Sequence, residues 1–244
     1  MTPEEKFIVD LDGYMVFRDV LSADEVAEMN RIIDAGDRKG RPSLWGEPFK
    51  KLIDHPRILA CLLELIGPTV RLDHDYSIFM SKGDRKGGLH GGEDGGAGGN
   101  EGDHWYRYRD GVMRTGLCVV SFQLSDAAAG DGGFACIPGS HKSNFLGNIP
   151  KDVRQYEAQR HYVVQPPVRT GDALFFTEAL VHGTNPWTAS HERRSLLFKC
   201  SPGHSAWNGT YPNADDYGEL TERQQRILLP PSIGRRPTVS EVAG

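Results

Sequence analysis

Four cysteines stand among the 244 residues, and none is spaced as a pair: Cys61, Cys118, Cys136 and Cys200 form no CxxC or comparable motif. A disulfide framework is excluded, and a chain of this length does not need one. The four read as buried reduced thiols. Also missing are an apolar run of membrane length and a charged-then-apolar leader, so the sequence predicts no membrane span and a cytoplasmic location. There is no positive excess either. Lys and Arg total 28 against 33 Asp and Glu, for a net charge of −5, and the basic residues are scattered. That argues against a nucleic-acid partner. The sequon Asn208-Gly209-Thr210 has no secretion signal to give it meaning.

What is present reads first as helices and then as strands. Ser22 and Glu25 have capping-box spacing, with Leu21 placed to staple onto Val26, and predict a helix to about Gly36 with Val26, Met29, Ile32 and Ile33 on its core face. Pro56 in a tolerated first turn and Gly67 ahead of Pro68 bound a second, deeply packed helix over about 54–67. From Thr69 the period becomes two: Val70, Leu72, His74, Tyr76, Ile78 and Met80 share one side of a strand. Residues 87–102 are glycine-dense and read as a loop over a site. Asp110-Gly111 is a hairpin signal joining strands over 105–109 and 112–124. Further strands are predicted over 134–138, 161–166, 173–176 and 193–200. Thr221 and Gln224 open a short C-terminal helix that stops at Pro230-Pro231.

Many short strands preceded by helices predict a mainly β domain, a double-sheet jelly roll with helices on one side. One domain over 1–244 is expected, with a helical part about 1–67, a jelly-roll core about 69–202, and a C-terminal helix and tail over 203–244.

The chemistry rests on two histidines and an arginine. His90 leads into the glycine loop, and His182 follows a buried strand and a bend. Two imidazoles on neighbouring strands are the fixed part of a mononuclear iron site that keeps open positions. Arg193 lies eleven positions past His182 in an apolar strand, with Ser195 two further on. The two face the same way and can grip one carboxylate of a keto-acid. A salt bridge from Arg193 to Glu192 or Glu178 is the structural alternative. His74 lies between Asp73 and Asp75, but in a regular strand its side chain points away from both, which makes a poor metal cluster. Trp105, Tyr106, Tyr108 and Arg109 are candidates for a lid wall or for cross-strand packing.

Gly13-Tyr14-Met15-Val16-Phe17, Pro138-Gly139-Ser140-His141-Lys142 and Arg193-Arg194-Ser195 together give a chain that resembles the phytanoyl-CoA dioxygenase family of iron(II)- and 2-oxoglutarate-dependent oxygenases. Leu89-His90-Gly91-Gly92 resembles the proximal motif of a bacterial branch of it. The resemblance implies a double-stranded β-helix with His90 and His182 as proximal and distal iron ligands. It also implies that Arg193, helped by Ser195 and Thr184, binds the far carboxylate of 2-oxoglutarate, with O2 as the other cosubstrate. The implied reaction hydroxylates an unactivated C–H bond of a small molecule and turns 2-oxoglutarate into succinate. His141 is read as holding its loop rather than a metal.

The family's His-any-Asp motif is broken at Gly92. Three completions are open. Glu93 or Asp94 can swing in through the Gly91-Gly92 flexure, Glu93 being preferred for reach. A halide can take the place, as in related halogenases with glycine or alanine there, although Glu93 and Asp94 would repel it if they faced inward. His104 or Asp103, beyond the loop, can be a ligand. Loss of the metal altogether would leave a noncatalytic jelly-roll binding protein.

Overall fold

Side-chain caps and N-terminal prolines set the helix starts. The structure, a computed structural model, describes residues 1–36, 39–92, 104–234 and 237–239. Thr2 caps α1 (Pro3–Asp12) in a reciprocal box with Glu5, a helix that the hydrophobic spacing did not announce. Gly13 ends it in the left-handed conformation (φ 78°) and turns the chain into β1 (Tyr14–Phe17). The Ser22–Glu25 box opens α2 (Ala23–Ala35) as expected, with Val26, Met29 and Ile33 buried. A short α3 (Glu47–Lys50) precedes α4 (Pro56–Leu65), which carries proline in its first turn and buries Ile58, Leu59, Cys61, Leu62 and Leu65.

The strands follow: β2 (Arg71–Met80), β3 (Tyr106–Arg109), β4 (Val112–Thr115), β5 (Cys118–Gln123) and β6 (Gly133–Cys136). After the single turn of α5 (Lys151–Arg154) come β7 (Ala173–Thr177), β8 (His182–Asn185) and β9 (Arg193–Ser201), and then α6 (Glu222–Ile227), capped by Thr221 with Gln224. The main antiparallel sheet has the order β1-β7-β5-β9-β2; β6 pairs with β8 opposite it, and β3 pairs with β4.

Period-two alternation divides the main sheet between two cores. Val120, Phe122, Phe175, Leu196 and Phe198 pack with Val26, Met29, Ile33, Phe49, Leu62 and Leu65 of the helical layer. Their neighbours Val119, Leu174, Phe176 and Leu197 face the other way, onto Met80, Cys136, Leu180 and Trp187. This is the expected jelly roll with helices on one face, and the second core forms the interior of the sandwich. All four cysteines are free and buried. Among the described residues no helix is long and apolar enough to cross a membrane.

Two expected strands differ. The run over 112–124 is broken: the Gly116 N–H bonds Trp105, so β4 stays in the hairpin while β5 enters the main sheet. Residues 161–166 form no strand and touch β6 only at the Cys136–Val164 bridge. Pro166 and Pro167 have no N–H with which to extend it.

Candidate metal and keto-acid site

Leu89 is fixed in a small core with Leu146, Val153 and Val181. The next residue, His90, forms an isolated antiparallel bridge with His182 at the start of β8. Each N–H donates to the other's carbonyl at 2.8 Å. The bridge puts both imidazoles side by side, ring centroids 4.5 Å apart. The Nδ1 of His90 lies 2.8 Å from the Gly88 carbonyl and that of His182 lies 2.7 Å from the Leu180 carbonyl. A carbonyl can only accept, so in the neutral rings Nδ1 carries the proton and Nε2 keeps its lone pair. That is how metal-binding histidines are oriented by their surroundings. His90 is exposed, whereas His182 is 6 % exposed and flanked by Phe176, 4.6 Å away between centroids. Burial pushes the His182 imidazole down to about 4, so it is neutral at pH 7.

His90, His182, Thr184 and Arg193 line one cavity of about 320 Å³, together with Tyr76, Ser121 and Phe176. That volume is near the lower end for small-molecule sites, roughly 300–1,000 Å³. A larger concavity of about 590 Å³ lies between α1 and the β3–β4 hairpin and contains none of these residues. Arg193 is 4 % exposed. Among the described residues its Nη1 reaches only the Met80 sulfur at 3.6 Å, and its Nε has no partner. Both alternative salt-bridge acids are engaged elsewhere: Glu192 accepts from Arg194 at 2.7 Å, and Glu178 pairs with Lys199 at 2.7 Å. Burial lowers the guanidinium to about 10, which still leaves it charged at pH 7. A buried cation without a counter-charge is costly, and this one faces a cavity that an anionic ligand could fill. Gly133 makes the room, since a Cβ there would stand 3.0 Å from the Arg193 Nε.

Ser195 shares Arg193's side of β9 but does not line the cavity. Its hydroxyl donates to Gln123 Oε1 at 2.8 Å, and the Gln123 amide donates in turn to the Ser121 hydroxyl at 2.8 Å. Ser121 is the member of this chain of hydrogen bonds that reaches the cavity.

The sequence reading passed over Glu178 as anything but a salt-bridge acid. It is 2 % exposed, and its Oε2 lies 3.8 Å from the Nε2 of His182 and 3.8 Å from the Nε2 of His104. Burial alone would raise its carboxyl; the opposing charges of His182 when protonated, Lys199 and His104 more than offset this and hold it at about 2. Because His182 is neutral at pH 7, Lys199 is a counter-charge that persists there. The signal available in the sequence was an acid inside Ala173–Val181 and a lysine inside Leu196–Cys200, two charges in apolar segments.

Gly91 and Gly92 both have left-handed backbones, φ 93° and 92°. A Cβ on Gly91 would fall 2.6 Å from the Leu180 carbonyl, and the Gly92 N–H donates to the Glu178 carbonyl at 3.1 Å. The position that would carry the family's acid therefore lies flat against the chain ahead of His182, in a conformation that favours glycine. Glu93, Asp94 and Asp103 lie outside the described residues. His104 stacks on Trp207 with centroids 4.7 Å apart, beside Glu178.

The other singled-out residues have structural partners. His141 ties its loop to α1 through the Asp10 carbonyl at 3.1 Å, as expected. His74 corrects the expectation for a regular strand: β2 is bulged between Leu72 and His74, and the His74 Nδ1 meets Asp73 Oδ1 at 2.7 Å. Asp73 is itself held by Arg71 and by the N–H groups of Trp207 and Asn208, which suits a structural role. The β3–β4 hairpin is bound to the helices rather than laid over the cavity. Tyr106 donates to Asp10, and Arg114 donates to the Glu64 carbonyl at 2.6 Å.

The family model for phytanoyl-CoA dioxygenase matches residues 96–195, a stretch that contains His182, Thr184, Arg193 and Ser195. Over that stretch the chain is similar to the phytanoyl-CoA dioxygenase family. The paired imidazoles and the buried guanidinium suit the iron- and 2-oxoglutarate-dependent oxygenases that the match points to. Among solved structures, the chain is similar to HygX from Streptomyces hygroscopicus with nickel and 2-oxoglutarate bound. The two are 25% identical, with a TM-score of 0.75 over 89% of this chain and 94% of that one. HygX has also been crystallised with hygromycin B present. The carbocyclase SnoK of nogalamycin biosynthesis shares the fold, at 19% identity and a TM-score of 0.60 over 84% of this chain and 85% of that one. No curated protein matches the chain in sequence.

Proposed function

We propose that this protein is an iron(II)- and 2-oxoglutarate-dependent oxygenase of the phytanoyl-CoA dioxygenase family that hydroxylates an unactivated C–H bond of a free small molecule while 2-oxoglutarate is decarboxylated to succinate. Iron bound with 2-oxoglutarate supplies the activation of O2 and the removal of the hydrogen atom. His90 and His182 hold the metal through their Nε2 atoms, each ring oriented by its Nδ1 bond to a backbone carbonyl. Arg193 receives the far carboxylate of 2-oxoglutarate, Thr184 lines the same space, and Ser195 acts one step removed through Gln123 and Ser121. Phe176 and Phe134 flank His182 and give its side of the cavity an apolar wall. The observation that carries the reading is the buried guanidinium of Arg193, without an acid partner among the described residues, in the cavity that also contains both imidazoles. The presence of hygromycin B with HygX supports a free small molecule as the substrate class.

Gly92 favours a second reading, in which a halide takes the carboxylate's place and the substrate is halogenated. The buried negative charge of Glu178 beside His182 opposes a bound halide there, so hydroxylation is preferred. Anaerobic titration with iron(II) and 2-oxoglutarate tests the central claim. A weak visible charge-transfer band is expected when the keto-acid chelates the metal, and a folded, iron-loaded protein that never develops it would refute the oxygenase reading in favour of a noncatalytic binding protein.

A further inference from the structure

Resting on the iron and 2-oxoglutarate reading above, we propose that His74, together with Trp207, is the substrate-recognition end of the site and takes a neutral hydroxylated ring, such as a sugar or cyclitol. The register of β2 on β9 orders the wall. Met80 pairs with Arg193, Ile78 with Ser195, Tyr76 with Leu197 and His74 with Lys199, a double row on one face of the sheet. Arg193, Ile78, Tyr76 and Leu197 of that row line the cavity. His74 and Lys199 continue it just past the lining, at the end away from Arg193. Lys199 lies six residues past Arg193, roughly 20 Å along a strand and more than a five-carbon dicarboxylate can span. The bulge at Asp73 is what brings His74 to this side: Leu72 before it packs in the helical-layer core, whereas Tyr76, Ile78 and Met80 after it pack in the sandwich interior.

His74 is arranged to accept a hydrogen bond. Its Nδ1 meets the Asp73 carboxylate at 2.7 Å, so in the neutral ring Nδ1 carries the proton and Nε2 presents a lone pair. The ring stacks on Tyr76, with centroids 5.8 Å apart and planes 17° apart, and its side chain is 18 % exposed. Trp207 is fixed by the same acid, its N–H donating to Asp73 Oδ2 at 3.0 Å. Its indole stacks on the buried His104, whose Nε2 lies 3.8 Å from Glu178, yet Trp207 itself is 44 % exposed. Asp73 therefore holds an imidazole acceptor and an open aromatic face at one end of the sandwich. A hydroxylated ring suits that pair, because its C–H face can pack on an aromatic surface while a hydroxyl donates to the imidazole. A charged group is not what the end is built for: its carboxylates, Asp73 and Glu178, already pair with Arg71 and Lys199.

The test is calorimetry on the full-length protein loaded anaerobically with iron(II) and 2-oxoglutarate. Hygromycin B, methyl α-D-glucopyranoside and myo-inositol serve as hydroxylated rings, and octanoyl-CoA as an acyl thioester. At least one ring should bind the wild type, and the thioester should not. H74F should weaken ring binding about tenfold or more, because a substrate hydroxyl is left without its acceptor. H74Q keeps an acceptor oxygen and should recover most of that loss, while W207A should weaken binding about 3–10-fold. The affinity for 2-oxoglutarate should stay at the wild-type value in all three. Binding of the thioester alone, binding of no ring, or wild-type ring affinity in H74F would overturn the proposal, as would a loss of 2-oxoglutarate binding in H74F. If H74F does not fold by circular dichroism, W207A decides, since its side chain is partly at the surface: unchanged ring affinity there ends the proposal. A wild type that never takes up 2-oxoglutarate would instead refute the keto-acid reading itself.

Discussion

Two buried cations lie on one face of β9, six residues apart, and their surroundings are opposite. Lys199 has its carboxylate within the protein, at 2.7 Å in Glu178. Arg193 has a thioether, an unpartnered Nε and a cavity. Burying an ion costs several kcal/mol wherever it occurs, and the fold meets that cost internally at one end of the strand only. The difference separates two uses of charge: Lys199 holds a carboxylate in place, and Arg193 waits for one to arrive.

The comparison breaks most sharply if Lys199 is removed. In the metal-free protein, Lys199→Met leaves Glu178 buried without its counter-charge and should destabilise folding by about 3–5 kcal/mol, read from denaturant melts; a loss below 1 kcal/mol would show that the pair is not doing this. Arg193→Met should act in the other direction on the empty protein, stabilising it by about 1–4 kcal/mol because no partner is left behind. The same variant should lose 2-oxoglutarate binding by at least ~100-fold, since two charge-assisted hydrogen bonds at about 1.5–3 kcal/mol each disappear. Equal affinity by calorimetry would remove Arg193 from the keto-acid site.

Acid pH sharpens the contrast further. The Glu178 carboxyl is held below its usual 4.5, at about 2, so its contribution to stability is fully present above pH 4.5 and is lost as pH falls toward 2. Arg193→Met should keep this acid limb, whereas Lys199→Met should shrink it to the part that protonated His182 supports; melts at pH 6, 4 and 3 distinguish the two. The smallest effect belongs to Ser195→Ala, which removes one hydrogen bond to Gln123. It should cost about 1 kcal/mol of stability and less than a tenfold change in 2-oxoglutarate affinity, and a change as large as that of Arg193→Met would mean direct contact.

Much of this was legible in the residues because it depends on local chemistry. The Ser22–Glu25 and Thr221–Gln224 boxes are short-range, and they cap α2 and α6 as read. Arg193 in an apolar strand was informative because a buried guanidinium is rare whatever the fold. Glu178 was missed for the complementary reason. Its meaning depends on His182 through a bend and on Lys199 through the adjacency of β7, β5 and β9, and no window of sequence contains that adjacency. The His74–Asp73 contact was missed because a bulge overrides the alternation on which the reading relied. The strand expected over 161–166 failed for want of partners rather than of propensity, since strand formation is completed only by a neighbour.

The bridge between His90 and His182 has a consequence for folding as well as for chemistry. The two histidines lie some ninety positions apart in the chain, and outside that ladder only a few backbone bonds, such as Leu89 to Arg154 and Thr184 to Gly87, hold the segment around His90. An ion gripped by both rings would close a very long loop, as a disulfide does, and long loops are where such a closure constrains the unfolded chain most. In a protein whose cysteines are all free, the metal would be a long-range cross-link added to the hydrogen bonds, ion pairs and packing. Loading it should therefore protect the amides near His90 from hydrogen exchange well before it produces any turnover.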